Sequence, residues 1–502
     1  MIDARLCNRA RLARDTRFDG RFFIAVLSTG VYCRPICPSP TAKRANVRFY
    51  ESAAEAIAAG FRPCLRCRPE TLPGTPAWFG TSATVARALR ILTEETLLTH
   101  SVAGLSRRLG VSARHLHRLF LAHLGASPIA VMRTWRLNFA KGLISDTDLP
   151  MSLVAQAAGF GSVRRFNDSI RQLYGKTPTA LRRMKVPPLK AGQDQYVFRA
   201  SYRPPFDWEW LLDFLRARAI PGVEEVASGV YRRTFEHEGR RGILEVGHAR
   251  DARALDVRIR VSQPLSLLPI VSRLRAMFDL ATDVSVIAAH LGRDPLLAPL
   301  VRRYPAPRVP GAWDGFELAV RAILGQQVTL AGASALAGRI AQQFGAPLSL
   351  PDSGSLTVLF PGPQALSDAH LQGIPRTRAQ AIRALARATA ARQISFAGTA
   401  DEAIAALAGL PGVGDWTAQY VAMRALRAPD AFPAGDLVLR RMAGRGRPLS
   451  AAALRARAER WRPWRAYAAV FLWRAAGDEA GGETARGAAA AREPAEEGLL
   501  GA

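Results

Sequence analysis

Residues 410–418 read LPGVGDWTA, a short turn that separates two segments of helical character. Gly412 and Gly414 allow a tight turn, because glycine adopts backbone conformations that are closed to other residues. Such a turn points backbone N–H groups and the N-terminus of the next helix toward one place, where a phosphate can bind. The stretch therefore predicts a helix-hairpin-helix that contacts the DNA backbone, although an ordinary turn between helices gives the same pattern.

Residues that can support chemistry lie beyond this hairpin. Trp416 and Tyr420 are four residues apart and share one face of the helix that follows the turn. Asp436 precedes another helical segment, and Trp473 lies in the last one. A carboxylate can stabilise the positive charge that builds on a sugar when its glycosidic bond breaks. The simpler alternatives are a helix N-cap for Asp436 and core packing for the aromatic residues.

Taken together, the hairpin, the aspartate and the aromatic residues carry a family resemblance. Residues 195–476 resemble the AlkA-type 3-methyladenine DNA glycosylases of the HhH-GPD superfamily over nearly their full length. The resemblance implies that an alkylated base is flipped out of the duplex, with Asp436 as the catalytic carboxylate. The aromatic residues implied to hold the base are Trp416, Tyr420 and Trp473.

Two departures within this segment refine the expected mechanism. Gln327 stands where the family has an apolar wedge that fills the gap left by the flipped base, so it is an expected substrate contact. Related glycosylases that also cut the strand have lysine in place of Trp416, and no lysine follows Lys190 in this chain. A lysine Schiff base is therefore excluded in this segment, and we expect a monofunctional glycosylase.

The sequence pattern divides the C-terminal half of the chain into two domains and a tail. Residues 255–261 alternate between apolar and polar side chains, which indicates a strand, and an aromatic helix is expected over 208–219. We therefore expect an α+β subdomain at 195–308 and an all-α helix-hairpin-helix domain at 309–476. Residues 477–502, rich in Ala, Gly and Glu, are expected to form a disordered tail.

Four of the five cysteines lie close together near the start of the chain. They form the pairs C-x3-C and C-x2-C, namely Cys33, Cys37, Cys64 and Cys67. Two close thiolate pairs brought together by a fold are typical of a tetrahedral zinc site. Without a secretion signal these thiols are expected to stay reduced, although two disulfides or four unrelated buried cysteines are the alternatives.

The sequence around these cysteines is more specific. It reads TGVYCRPIC at 29–37, NVRFY at 46–50 and AAGFRPCLRC at 58–67. The first 70 or so residues resemble the N-terminal domain of the Ada family, which we place at 1–76. The resemblance implies that Cys33 is both a zinc ligand and the acceptor of a methyl group from a DNA methyl phosphotriester; a purely structural ligand is the alternative. Arg62 and Arg66 are expected to contact DNA.

Residues 82–185 contain a weak internal repeat. LGASP at 124–128 recurs as YGKTP at 174–178, and a helix-turn-helix pattern precedes each copy, with Ser112 and Ser162 as expected N-caps. The segment resembles an AraC-type DNA-binding domain, although a plain helical bundle with solvated arginines is the alternative. The expected DNA contacts on the second helix of each pair are Arg114, His117, Arg118, Arg164 and Arg165. Residues 186–194 are expected to form a linker.

Composition agrees with a nucleic-acid partner. The formal charge of the 502-residue chain is +28, which favours a polyanion. No apolar run approaches the roughly 20 residues of a membrane helix, so no membrane contact is expected. No cysteine follows Cys67, which excludes from this chain the second methyl acceptor that Ada carries.

The combined prediction is a multidomain α+β protein that responds to alkylation damage. Its N-terminal half would accept a methyl group and regulate transcription with one Zn²⁺, and its C-terminal half would excise alkylated bases. The expected partners are damaged and promoter double-stranded DNA and RNA polymerase, for a monomer in the cytoplasm that associates with the nucleoid. The alternatives are a regulator whose glycosylase half only binds DNA, and a glycosylase whose N-terminal half is only a tether.

Overall fold

The structure is a computed structural model that describes residues 4–14, 22–35, 37, 39–51, 53–64, 67, 69, 85, 88, 102–146, 149–182, 195–261, 267–396 and 400–490. A small cysteine-containing domain comes first, and a set of helices, a five-stranded sheet with helices, and a helical domain follow. This order confirms the multidomain α+β fold expected from the sequence. The linker predicted at 186–194 lies outside the described residues.

The N-terminal domain is built on a small sheet that brings the two cysteine pairs together. The strands have the order β3-β1-β2-β4. β2 and β4 pair in parallel with Tyr32 opposite Pro63, so Cys33 and Cys64 leave the sheet at the same end. The elements are α1 (Ala4–Leu12), β1 (Phe23–Val26), β2 (Val31–Cys33), β3 (Val47–Tyr50), α2 (Ala53–Ala58) and β4 (Arg62–Pro63).

The next domain contains two helix-turn-helix units. Ser112 and Ser162 cap the second helix of each unit, because each side-chain oxygen accepts a hydrogen bond from the backbone N–H three residues further on. Gly125 and Gly175 end the same helices in left-handed conformations, with φ of 65° and 66°. The repeat predicted from the sequence is therefore present in the fold. The helices are α3 (Val102–Arg108), α4 (Ala113–Leu124), α5 (Pro128–Asp146), α6 (Met151–Ala157), α7 (Val163–Tyr174) and α8 (Pro178–Arg182).

The α+β subdomain is an antiparallel sheet of order β5-β9-β8-β7-β6, covered by helices. The alternation predicted at 255–261 falls in β9, where Leu255, Val257 and Ile259 are buried in the core. The elements are β5 (Gln195–Ser201), α9 (Trp208–Arg216), β6 (Glu224–Ala227), β7 (Val230–His237), β8 (Arg240–Ala249), β9 (Ala254–Val261), α10 (Leu268–Met277), α11 (Val284–Leu291) and α12 (Ala298–Arg303).

The helical domain follows, and its last helix is longer than expected. That helix continues to Ala490, so residues 477–490 of the predicted tail are helical, and residues 491–502 lie outside the described residues. Asp478 accepts hydrogen bonds from Arg303 at 2.8 Å and from the Tyr304 hydroxyl at 2.6 Å, which anchors the start of this stretch, and alanine, which has the highest helix propensity, favours the helix at 488–490. The helices are α13 (Gly315–Leu324), α14 (Leu330–Phe344), α15 (Pro363–Leu366), α16 (Arg376–Ala390), α17 (Ala400–Ala408), α18 (Asp415–Arg424), α19 (Leu437–Ala443), α20 (Ala451–Ala458) and α21 (Arg465–Ala490).

Buried ion pairs fix the helical domain against the sheet. Arg233 of β7 lies 2.7 Å from Glu317 of α13, and Arg321 of α13 lies 2.9 Å from Glu224 of β6. Arg233, Glu317 and Glu224 are almost fully buried, so both partners of each pair are needed to compensate the loss of hydration. The pairs set the position of α13 relative to the α+β subdomain.

The two halves of the chain share one apolar core. Side chains of α5, α6 and α7 belong to the same buried cluster as those of the five-stranded sheet. The N–H of Leu267 also donates to the carbonyl of Ala157 at 3.0 Å, which joins the two halves through the backbone. Within the described ranges, no helix combines the length and the apolar character needed to cross a bilayer.

Candidate functional site

Helix α18 begins directly after the glycine turn and presents two aromatic rings. Trp416 and Tyr420 stand one turn apart, with ring centroids 5.2 Å apart and planes only 11° from parallel. Trp473 of α21 meets Tyr420 edge-on, with centroids 6.1 Å apart and planes at 65°. All three rings are half-buried, so part of each faces solvent. The structure thus brings together the three aromatic residues that the sequence suggested.

Asp436 lies at the open edge of these rings. Its carboxylate accepts hydrogen bonds from the indole N–H of Trp416 at 3.0 Å and from the indole N–H of Trp473 at 3.2 Å. It also caps α19, because the Leu439 N–H donates to the same carboxylate at 3.0 Å. The N-cap and the pocket position were alternatives in the sequence, and the structure shows that one side chain occupies both.

The loop before Asp436 is held by α18 itself. The side-chain oxygen of Gln419 accepts a hydrogen bond from the Phe432 N–H at 3.1 Å. The Asp436 N–H in turn donates to the Pro433 carbonyl at 2.9 Å. Because these contacts fix the loop, they also fix the position of the Asp436 carboxylate.

The Tyr420 side chain contacts the two tryptophan rings and also a group of arginines. Its hydroxyl oxygen accepts a hydrogen bond from Arg424 at 2.6 Å. Burial raises the pKa of the Tyr420 phenol, but the positive charges of Arg424 and Arg218 outweigh burial, and the net pKa lies below its ordinary value. The phenol oxygen is therefore held as an acceptor, and the ring stays fixed beside Trp416.

The hairpin turn directly precedes α18, which carries Trp416 and Tyr420. Gly412 has a φ of +78°, a conformation that side chains other than glycine rarely adopt. Gly414 is the N-cap of α18 and offers no side chain, so the first N–H groups of the helix are not capped by it. Both glycines are exposed. The structure therefore contains the tight turn that the sequence predicted, and the phosphate contact stays a prediction.

Replacement of Gly412 tests this geometry. Gly412→Ala should destabilise the fold by about 1 kcal/mol and weaken DNA binding, because φ is positive and the new Cβ would lie 3.0 Å from the Cβ of Ala381. Urea unfolding and fluorescence anisotropy with labelled duplex DNA measure the two effects. Gly409→Ala is the matched control in the same turn, since its φ is not positive and its Cβ has ordinary contacts. Equal effects of both substitutions would contradict the prediction.

A second loop approaches the hairpin from α13. The Gln326 side chain donates to the Gly412 carbonyl at 3.1 Å and to the Thr417 hydroxyl at 3.2 Å. This contact presents the next residue, Gln327, in an exposed position with a φ of 55°. Val328 and Leu330 are also exposed, by 38% and 50%. Sequence reasoning missed Gln326, because its role depends on a contact between distant segments.

The four cysteines predicted as metal ligands meet in the N-terminal domain. Their sulfur atoms all lie within 4.8 Å of one another, and Cys37 and Cys64 are 4.0 Å apart. Tetrahedral zinc with Zn–S bonds of about 2.3 Å needs sulfur atoms slightly less than 4 Å apart, so the set fits. The Arg34 N–H donates to the Cys67 sulfur at 3.4 Å, which helps to orient that ligand.

The predicted DNA contacts of the N-terminal half are solvent-accessible where the structure describes them. Arg62 of β4 is exposed beside the cysteine site, and Arg66 lies outside the described residues. On α4 and α7 the exposed side chains are Arg114, His117, Arg118, Arg164 and Arg165. Arg118 also lies 2.9 Å from the ring nitrogen of His115. These residues are available to DNA, and their contacts stay predictions.

Four protein families match successive parts of the chain. The metal binding domain of Ada matches residues 6–70, a helix-turn-helix domain matches 105–184, the AlkA N-terminal domain matches 197–314, and the HhH-GPD superfamily base excision DNA repair protein matches 320–466. A probable bifunctional transcriptional activator/DNA repair enzyme AlkA of Mycobacterium tuberculosis H37Rv is 42% identical over 481 residues, 94% of this chain and 96% of that protein. The chain belongs to this family of bifunctional enzymes.

Other relatives match one half each. DNA-3-methyladenine glycosylase 2 of Escherichia coli K12 is 34% identical over 285 residues, 55% of this chain and 96% of that protein. The bifunctional transcriptional activator/DNA repair enzyme Ada of the same organism is 45% identical over 125 residues, 25% of this chain and 34% of that protein. These matches confirm the expected fusion and the zinc site of the N-terminal domain.

Proposed function

We propose that this chain repairs alkylated DNA by two separate reactions: excision of alkylated bases in the C-terminal half and methyl transfer to Cys33 in the N-terminal half. The observation that supports the first reaction best is the Asp436 carboxylate, held by Trp416 and Trp473 at the edge of an aromatic site beside the hairpin. The release of 3-methyladenine from methylated duplex DNA tests it.

In the proposed excision, the bond between the sugar C1′ and the base nitrogen breaks, and its electron pair leaves with the base. Positive charge then builds on the sugar, and the Asp436 carboxylate stabilises it. Water adds at C1′ and gives a proton to the carboxylate, which leaves an abasic site. Within this half no lysine is present to attack C1′, so the reaction is monofunctional and the strand stays intact.

Selection of the base is assigned to the aromatic rings. Trp416 and Tyr420 present electron-rich faces, and Trp473 lies at their edge. Bases such as 3-methyladenine are electron-poor or cationic, so stacking and cation–π attraction favour them over normal bases. These bases also leave more readily, and a broad pocket can therefore still be selective.

The exposed loop after Gln326 is proposed to fill the duplex when the base flips. Gln327 and Val328 project from it beside the hairpin, and protein side chains commonly fill the gap between unstacked bases. Gln327 supplies volume, and the exposed Val328 supplies the apolar contact that glutamine lacks.

Substituting both residues of this loop separates flipping from chemistry. Gln327→Ala combined with Val328→Ala should lower base release from duplex DNA by roughly tenfold, since unstacking costs a few kcal/mol. Release from single-stranded DNA should be unchanged, because no gap needs to be filled. Leu12→Ala, an exposed apolar residue of α1, is the control and should change neither rate. An equal loss on both substrates would contradict this role.

The proposed methyl transfer is chemically simple. The Cys33 thiolate attacks the methyl carbon of a methyl phosphotriester, an S–C bond forms, and the C–O bond breaks with its electron pair on the phosphate oxygen. Zinc held by Cys33, Cys37, Cys64 and Cys67 supplies a deprotonated sulfur near neutral pH. The transfer removes one negative charge from the cluster of four thiolates, which should increase DNA affinity.

The helix-turn-helix units complete the proposal. Their exposed basic residues on α4 and α7 suit the major groove of promoter DNA, and the family name includes transcriptional activation. RNA polymerase as a partner, a monomeric state and association with the nucleoid belong to the same proposal. Gel-shift assays with promoter fragments, before and after methylation of Cys33, test the regulatory part.

A further inference from the structure

Arg424 is a buried arginine beneath the aromatic site. Only 4% of it is exposed. Its guanidinium donates to the carbonyls of Pro310 and Gly311 at 2.7 and 3.0 Å, and to the Tyr420 hydroxyl at 2.6 Å. Within the described part of the chain, no carboxylate is among these hydrogen-bond partners. A buried charge that is compensated by carbonyls, a phenol and aromatic rings is costly, so its position calls for an explanation.

The carbonyls that hold Arg424 belong to a rigid segment. Pro310 and Gly311 lie where the chain passes from the α+β subdomain to the helical domain. The Gly311 N–H donates to the Met277 carbonyl at 2.8 Å, and a Cβ at Gly311 would lie 2.6 Å from the Ala276 carbonyl oxygen. The segment is therefore packed closely against α10. Through Arg424, this fixed backbone determines where the Tyr420 oxygen can lie.

Arg424 contacts the Tyr420 ring, and Arg424 and Arg218 both pack on the neighbouring ring of Phe214. The Arg424 guanidinium lies 5.3 Å from the centroid of the Tyr420 ring and 4.9 Å from that of Phe214. Arg218 lies over the same Phe214 ring at 3.7 Å, and burial lowers its pKa to about 10. Arg424 therefore contacts both the hydroxyl and the ring of Tyr420, which lies at 11° to the Trp416 ring.

We propose that Arg424 is a positioning residue for base recognition, which holds Tyr420 parallel to Trp416 so that the alkylated base meets a preformed aromatic surface. The inference rests on the proposed excision reaction. The contact of Arg424 with the Pro310 and Gly311 carbonyls, between the helical domain and the α+β subdomain, then contributes to the selection of the base. A ring that tilts freely would lose stacking area on the base, and the rate of excision would fall.

A double-mutant cycle tests the proposal. Arg424→Met and Tyr420→Phe should each lower kcat/KM for release of 3-methyladenine from duplex DNA by roughly tenfold, and the double variant should lose no more than either single one. Affinity for undamaged duplex DNA should not change, since neither residue contacts the backbone. Arg424→Lys retains one donor for the phenol and should therefore be more active than Arg424→Met, whereas in the Tyr420→Phe background lysine should give no such recovery.

The matched control is Arg308→Met. Arg308 is fully buried and also donates to backbone carbonyls, at Asp279, Thr282, Arg203 and Pro205, but it does not contact the aromatic site. It should lower stability without changing kcat/KM per folded protein. Two results would overturn this inference and leave the proposed excision standing. One is additive effects of Arg424→Met and Tyr420→Phe, and the other is a loss of activity that only follows the folded fraction of the Arg424→Met variant. Absence of base release by the wild type would overturn the proposed excision and this inference with it.

Discussion

Replacing Asp436 with asparagine is expected to abolish base release while the fold and DNA binding persist. Asparagine keeps an oxygen for the Leu439 N–H, so α19 stays capped. It lacks the negative charge that stabilises the sugar cation, and its NH2 group, which is a donor, replaces the oxygen that accepts from the Trp416 indole N–H. The rate should fall on the order of a thousandfold, as when a preorganised electrostatic group is removed from an active site. Chromatography of free bases from methylated duplex DNA measures it.

A second N-cap aspartate provides the control. Asp314 caps α13 by accepting from the Glu317 N–H at 2.9 Å, in the same domain but not in the aromatic site. Asp314→Asn should match Asp436→Asn in stability, because both keep the cap, and it should retain wild-type base release. If Asp436→Asn retained activity, the carboxylate would be a cap and nothing more.

Replacing Cys33 with serine is expected to abolish methyl transfer. A serine hydroxyl is not ionised near neutral pH and is a poor zinc ligand, so both the nucleophile and part of the metal site are lost. Intact-protein mass spectrometry after incubation with DNA that carries methyl phosphotriesters should show one added methyl group on the wild type and none on Cys33→Ser. Base release by the C-terminal half should be unaffected.

The fifth cysteine distinguishes loss of the acceptor from general damage to the domain. Cys7 is buried in the same apolar cluster as Cys33, Cys64 and Cys67, but it is not among the four clustered sulfur ligands. Cys7→Ser should retain zinc and methyl uptake. Methylation of Cys64 or Cys67 in place of Cys33 would contradict the assignment of the acceptor.

Local sequence signals predicted much of the candidate site. The four-residue spacing of Trp416 and Tyr420 placed them on one helix face, and the glycines of the hairpin gave the turn. For Asp436 the sequence left two alternatives open, since an aspartate before a helix is an ordinary N-cap. Only the fold shows that both indole N–H groups reach its carboxylate, because Trp473 comes from a helix far along the chain.

The residues that sequence reasoning missed depend on contacts between distant segments. Arg424 lies four residues after Tyr420, so helical spacing could have placed it on the same face, but its binding to Pro310 and Gly311 has no local signal. The role of Gln326 likewise has no local signal, because it depends on contacts with Gly412 and Thr417. In the N-terminal domain the cysteine spacing predicted the metal site, while the parallel pairing of β2 with β4 that brings Cys33 and Cys64 together is visible only in the structure.

The most direct test of the two-reaction account uses the wild-type chain and one methylated duplex DNA. Free 3-methyladenine and methylated Cys33 are measured in the same reaction. We expect many bases released per protein, together with no more than one methyl group on Cys33. Methylation of Cys33 without any base release, under conditions where the chain binds DNA, would contradict the account and would show a regulator whose glycosylase half only binds DNA.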